Sequence, residues 1–159
     1  MRSSVRRMPD TVRVRGEAAE VSRAEAQAVL SMLGDERRRA RLADVVAAVD
    51  DGQIEGEDAA ALGELLELGL QTGRLRAVYG PEGEQAALSL YRRLPQGKEL
   101  TQSTSELNEA LETLAGRTLE RLSVHAVAPG EYGVTISAEG FELSLRLGRS
   151  GARVATVGA

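Results

Sequence analysis

The fold of the N-terminal half is decided by residues 42–79, which read LADVVAAVDDGQIEGEDAAALGELLELGLQTGRLRAVY. The first part of this stretch repeats apolar residues at the i, i+3, i+4 and i+7 spacing of one helix face: Leu42, Val45, Val46 and Val49. Gly52 follows directly after Asp50 and Asp51, and glycine readily takes the left-handed conformation that closes a helix. The sequence therefore predicts an amphipathic helix that ends near Asp51.

A second helix is expected in the same stretch. The carboxylates of Glu55–Asp58 lie where the partial positive charge of a helix start stabilises them. The inner face then continues through Leu62, Leu65, Leu66 and Gly69. We expect this helix to end near Gly73. Arg74–Tyr79 brings a β-branched residue and an aromatic before a Gly-Pro turn at 80–83, which predicts a short strand.

Length and composition indicate a compact α+β protein. The 159 residues are 42% hydrophobic and include no cysteine, so disulfides, thiolate nucleophiles and cysteine-based zinc sites are excluded. The chain contains no apolar run of the ~18 residues that a bilayer span requires. We therefore expect a cytoplasmic protein.

Charge is segregated along the chain. Residues 46–70 hold seven acidic and no basic residues, whereas residues 1–45 hold ten arginines against seven acids. Aromatic residues make up only 3% of the chain, which leaves little surface for stacking on single-stranded bases. An acidic helical surface for a cationic partner and a solvated helix face are both compatible with this pattern.

The N-terminal region predicts a basic arm followed by three helices. Residues 1–20 read as a flexible arm in which Val12 and Val14 alternate as in an edge strand. Ser22 and Glu25 have the spacing of a capping box, which predicts a helix start at this point. Gly34 is placed to end that helix, and Asp35 to cap the next one.

Residues 84–94 fit two periods, since Leu88 and Leu90 alternate as in a strand while the residue preferences favour a helix. If they form a strand, residues 22–95 resemble a winged-helix domain. The resemblance depends on the Leu65–Leu70 run at the end of the third helix and on the hairpin-like segment after it. The resemblance would make Glu57–Leu70 the recognition helix. We expect residues 21–98 to form one helical domain, which is winged-helix-like if residues 84–94 form a strand.

The C-terminal part, residues 99–159, changes from helical to strand periodicity. Gln96–Lys98 is the expected boundary, and a helix is predicted over 104–115 after several candidate N-caps in 101–105. Four strands with a period of two follow, separated by the turn pairs Pro129-Gly130, Glu139-Gly140 and Ser150-Gly151. The predicted architecture is a helix packed on a four-stranded antiparallel meander, with one apolar face that must be covered.

The function best supported by this pattern is that of a non-catalytic protein-interaction or regulatory adaptor. With its apolar stripe inward, the 57–70 helix presents carboxylates on its outer side. The arginines of the preceding helix form a second charged surface. The predicted protein-binding residues are Glu57, Glu64, Glu67, Arg37, Arg38 and Arg41. We also hypothesise a homodimer that pairs residues 154–157 at the sheet edge.

DNA is the alternative partner. A winged-helix transcriptional regulator would contact phosphates through four arginines around the predicted wing: Arg74, Arg76, Arg92 and Arg93. The acidic outer side of the recognition helix argues against this reading, because carboxylates repel phosphates.

Catalysis and ligand binding have little support. His125 is the only histidine and stands in mid-strand with no nucleophile motif beside it. The Gly80–Gly83 run lacks the Lys-Ser/Thr end of a phosphate loop. An EF-hand register would place Ala47 and Val49 at positions that need oxygen ligands. We expect no enzyme activity, no cofactor and no metal site.

Overall fold

The computed structural model describes residues 10–148 and 151–158, and within them the chain forms five helices and six strands. In chain order these are β1 (Val12–Arg13), α1 (Glu17–Met32), α2 (Glu36–Asp50), β2 (Gln53–Ile54), α3 (Gly56–Gln71), α4 (Arg74–Tyr91), α5 (Pro95–Glu112), β3 (Leu119–Ala128), β4 (Glu131–Ala138), β5 (Phe141–Gly148) and β6 (Gly151–Gly158). The predicted α+β class is confirmed. The chain divides into two compact units, Met1–Lys98 and Glu99–Ala159.

The first unit is built on one apolar core beneath α1 to α4. Its buried apolar side chains come from β1, β2 and α1 to α4, and those with almost no exposure include Val14, Val45, Ile54, Leu62, Leu66, Leu75 and Leu90. Each such aliphatic side chain contributes about 1.5–3 kcal/mol when it is removed from water. The two-residue strands β1 and β2 pair antiparallel and bring Val12 opposite Ile54.

The predicted α2–turn–α3 arrangement is confirmed residue by residue. Asp35 caps α2, since its side chain accepts a hydrogen bond from the Arg38 backbone N–H at 3.1 Å. α2 ends at Asp50, and Gly52 takes a left-handed φ of 77°. Gly73, also left-handed, separates α3 from α4. The apolar stripe of α2 faces inward, with Val45 and Val49 buried.

The predicted start of the first helix is wrong. α1 begins at Glu17, after Gly16, so residues 17–20 are helical and do not belong to an arm. Ser22 and Glu25 lie inside the helix on its buried side. The capping-box spacing of three residues equals the spacing of neighbours on one helix face, which explains the error. Residues 1–9 of the predicted arm lie outside the described part of the chain.

The strand predicted over Arg74–Tyr79 is wrong, and of the two readings of residues 84–94 the helical one is confirmed, so this segment does not form a wing. Arg74–Tyr79 is the first part of α4, and residues 84–91 continue the same helix. Gly80, with φ 72° and ψ −178°, kinks the helix at one residue, and Pro81 restarts it. Proline suits the first turn of a helix, where its missing N–H is not needed. The Gly-Pro pair therefore bends a helix here and makes no hairpin.

Helix α5 extends further toward the N-terminus than predicted. It begins at Pro95, so the predicted linker at 96–98 and the candidate N-caps at 101–105 are helical. Proline at the first helical position again explains the start. The division between the two units falls inside this helix.

The second unit contains the predicted meander. Its strands follow the order β3-β4-β5-β6, every neighbouring pair antiparallel. Left-handed Gly130 closes the β3–β4 turn, and Glu139 and Gly140, both at positive φ, close the β4–β5 turn. The Thr118 side chain, by hydrogen bonding to Glu139, lowers the pKa of that carboxyl below its ordinary value. The predicted turn at Ser150 lies outside the described residues.

One face of this sheet is apolar, and it is covered only in part. Leu143 and Leu145 on β5 are buried, and the Ser103 hydroxyl of α5 donates a hydrogen bond to the Ala152 carbonyl at 2.5 Å. On β3, by contrast, Leu122 and Val124 are exposed. A register shift between β5 and β6 places Thr156 on the polar face, opposite Ser144.

No helix in the described ranges, 10–148 and 151–158, combines the length and the apolar content that a bilayer crossing needs.

Candidate protein-binding surfaces

The outer side of α3 carries the predicted acidic surface. α3 turns its small and apolar residues inward, including Ala59, Leu62, Leu66 and Gly69. Glu57 and Glu64 are exposed and Glu67 is half-buried. We call these three carboxylates, with Leu68, the α3 acidic face.

Within the described part of the chain, none of the three carboxylates of the α3 acidic face forms an ion pair. Glu67 accepts one neutral hydrogen bond, from Gln71 Nε2 at 3.0 Å. The described residues therefore leave the negative charge of this surface without a direct cationic partner.

Leu68 stands among these carboxylates and is 61% exposed. At 100° per residue, positions 57, 64, 68 and 71 fall on one narrow stripe of the helix. The sequence analysis missed Leu68, because the run Leu65, Leu66, Leu68 and Leu70 reads as uniformly apolar. Only the phase of the helix separates the outward leucine from the inward ones. The face thus combines a large apolar side chain with Glu64, one turn before it on the same stripe, and Glu67, next to it in sequence.

The second predicted surface lies at the beginning of α2. Arg37, Arg38, Arg39 and Arg41 are all exposed, and we call them the α2 arginine cluster. Over residues 10–148 and 151–158, no member of the cluster has an ion-pair partner. Cations at a helix N-terminus oppose the helix dipole, so this placement costs helix stability locally.

The four arginines of the DNA alternative do not form one free cationic patch. Arg76 pairs with Glu84 at 3.2 Å, and Arg93 donates from Nη1 to the Arg13 carbonyl at 3.0 Å. Arg74 binds Glu25 at 2.7 Å. Arg92 is exposed and has no ion-pair partner among the described residues. With no hairpin between them, these side chains project from the α4 helix and the turn that follows it.

Glu25 is a buried ionisable residue at the centre of a polar network. Its residue is 2% exposed, yet both carboxylate oxygens accept hydrogen bonds, Oε1 from Arg74 Nε at 2.7 Å and Oε2 from the Tyr79 hydroxyl at 3.1 Å. Hydrogen bonding to Glu25 and the charge of that carboxylate raise the pKa of Arg74. Burial, with a contribution from the Glu25 hydrogen bond, raises the pKa of Tyr79 above its ordinary 10.0.

This network ties α1 to the first part of α4. Sequence reasoning assigned Glu25 to a helix cap, and no local signal connects it with residues 49 and 54 positions away. A buried carboxylate is stable only when its oxygens accept hydrogen bonds. We therefore assign the network of Glu25 with Arg74 and Tyr79 a structural role.

The single histidine has a structural surrounding. The ring of His125 on β3 lies over Gly133 of β4, directly opposite it in the sheet. The described residues contain no group of three or more His, Asp and Glu side chains that is arranged to hold a metal ion.

Comparisons with family models, curated proteins and solved structures found no match. We therefore infer the function from the surfaces of this chain.

Proposed function

We propose that this protein is a non-catalytic interaction or regulatory adaptor that binds a partner protein through the α3 acidic face. The observation that carries the proposal is Leu68, an exposed leucine beside Glu64 and Glu67, neither of which has an ion-pair partner among the described residues. An apolar centre inside a polar rim is the general composition of a protein-binding surface.

The chemistry of the face defines the partner. A complementary surface presents lysine or arginine side chains around a shallow apolar pocket that accepts Leu68. Opposite charges speed the encounter and fix its orientation, and the buried leucine supplies affinity. The attraction weakens as salt shortens the Debye length from about 30 Å at 0.01 M to about 10 Å at 0.1 M.

The α2 arginine cluster supports a second contact in the same proposal. Its cations are unpaired within the described residues, and they occupy a helix start that disfavours them. Residues that break a local rule without compensation are typical of functional surfaces. We assign this cluster to an anionic surface, either on the same partner or on a second one.

Charge reversal on α3 tests the proposal. The full chain, bearing an affinity tag, is compared with Glu57→Lys/Glu64→Lys in capture from a lysate of the source cells, followed by quantitative mass spectrometry. The control is Glu99→Lys/Glu106→Lys on α5, which reverses two exposed carboxylates with the same seven-residue spacing. Both variants have the same net charge, so general electrostatic effects cancel.

The proposal predicts a set of partners that is retained by the α5 variant and reduced at least about tenfold by the α3 variant, equivalent to about 1.4 kcal/mol. Recovery of the same partners must fall as the salt concentration rises. Equal recovery by both variants would contradict the assignment. Salt-sensitive binding of a DNA duplex that is lost in Arg92→Glu, with no protein captured, would instead support the DNA-binding alternative.

A further inference from the structure

The sheet of the second unit leaves a continuous apolar area unpacked on one side. The register places residues 119, 122 and 124 of β3, 132 of β4 and 147 of β5 on the apolar face, with Tyr132 directly opposite Leu147. These five side chains keep between 37% and 64% of their exposure: Leu119, Leu122, Val124, Tyr132 and Leu147. We call them the β3 patch.

The size of the β3 patch approaches that of one side of an interface. A fully exposed aliphatic side chain offers roughly 60–120 Å² of apolar area and a tyrosine roughly 150–250 Å². With about half of each side chain exposed, the patch amounts to on the order of 200–400 Å², which reaches the lower part of the range of the largest patches on monomers, and those are often functional. One side of a standard interface buries about 450 Å² of apolar area, so the patch supplies about half of this amount or more.

The composition of the face selects the partner. Every residue that the register places on this side of the four strands is uncharged, including Ala126, Val134, Ile136 and Val154. The Arg117 guanidinium lies over the Phe141 ring on this face, 5.2 Å from its centroid, but the β3 patch itself is uncharged and gives no electrostatic preference for a cationic or anionic protein. It is complementary to another flat, uncharged sheet face of the same area, and a second copy of this chain provides one.

We propose that two copies of this chain pack the β3 patches of their sheets against each other about a two-fold axis. The inner side chains of each sheet then face those of the other at the usual separation of about 10 Å. This arrangement differs from pairing at the β6 edge, because it uses side chains of one face and leaves the hydrogen-bonding groups of both edge strands unpaired. It is independent of the α3 acidic face, which lies in the other unit.

A matched pair of substitutions on β3 tests the dimer. Val124→Glu places a charge in the centre of the patch, whereas His125→Glu places the same charge one residue away on the polar face. Sedimentation equilibrium of the full chain from about 1 to about 100 µM reports the mass, and the expected wild-type mass at the upper end is twice the 16.9 kDa of the chain.

We expect Val124→Glu to raise the dissociation constant roughly 100-fold or more, since a desolvated, unpaired charge is not tolerated in an apolar interface, and His125→Glu to change it less than about threefold. Leu122→Glu must repeat the result of Val124→Glu. Unfolding midpoints at about 1 µM show that each variant is folded, as expected for exposed positions. A wild-type mass of 16.9 kDa at about 100 µM, or a dimer insensitive to charge at 122 and 124, overturns the proposal.

Discussion

Replacement of Tyr79 by phenylalanine measures how strongly the Glu25 network joins α1 to α4. The substitution removes one atom, the hydroxyl that donates to Glu25 Oε2 at 3.1 Å, and leaves the ring in place. A hydrogen bond to a charged group is worth about 1.5–3 kcal/mol, and the half-buried position of Tyr79 favours the lower end. We expect Tyr79→Phe to lower the free energy of unfolding by about 1.5 kcal/mol.

The same variant has a pH signature whose sign follows from the raised pKa of Tyr79. In the unfolded chain the tyrosine loses its proton near 10.0, whereas in the folded protein burial and Glu25 hold the proton to higher pH. The contribution of Tyr79 to stability is therefore complete below pH 10 and is lost as the pH rises through the folded-state value. The difference between wild type and Tyr79→Phe should narrow between about pH 8 and about pH 11.

Urea unfolding at both pH values provides the measurement. At about 1 µM protein, so that the proposed dimer does not contribute, Tyr132→Phe is the matched control, because it removes the same hydroxyl from an exposed tyrosine, and we expect it to change stability by less than about 0.5 kcal/mol. The reasoning is refuted if Tyr79→Phe costs no more than the Tyr132 control at pH 8, or if its effect stays constant up to pH 11.

Two further predictions concern the core of the first unit. Gly69→Ala should lower the free energy of unfolding by about 1–3 kcal/mol, because a Cβ at this position would lie 2.8 Å from Leu75 Cγ in the core. The control Gly34→Ala should be neutral or slightly stabilising, since no atom lies within 4 Å of its Cβ. Equal effects of the two substitutions in urea titrations would argue against this packing. Ser22→Ala should leave stability unchanged or raise it by up to about 1 kcal/mol, since the buried Ser22 hydroxyl has no hydrogen-bond partner in the described part of the chain; a loss above about 1 kcal/mol in a thermal melt would contradict this assignment.

The sequence predicts those parts of the fold in which a local period determines the element. The alternation in residues 119–157 predicts the meander, because a period of two belongs to strands alone and the turn pairs mark their ends. The stripe of Val45 and Val49 and the caps at Asp35 and Gly52 likewise define α2, since each signal acts within one turn of the chain.

The remaining features depend on contacts that are distant in sequence. The Gly80-Pro81 pair is typical of a turn. Only the packing of the helical segments on either side makes it a kink within α4. The burial of Glu25 depends on Arg74 and Tyr79, and the exposure of Leu68 depends on the helices that cover the other leucines of α3. Local patterns carry no information about such partners, which explains why Glu25 was assigned to a helix cap and Leu68 was not distinguished from the inward leucines of α3.

Site-specific photo-crosslinking at Leu68 tests the proposed binding surface most directly. Leu68→benzoylphenylalanine in the full chain is compared with the same replacement of Val78, which is also apolar, helical and more than half exposed but lies on α4, outside both the α3 acidic face and the α2 arginine cluster. The proposal predicts protein adducts from position 68 that decline with salt and are missing from position 78. Equal adducts from both positions, or none from position 68, would contradict it.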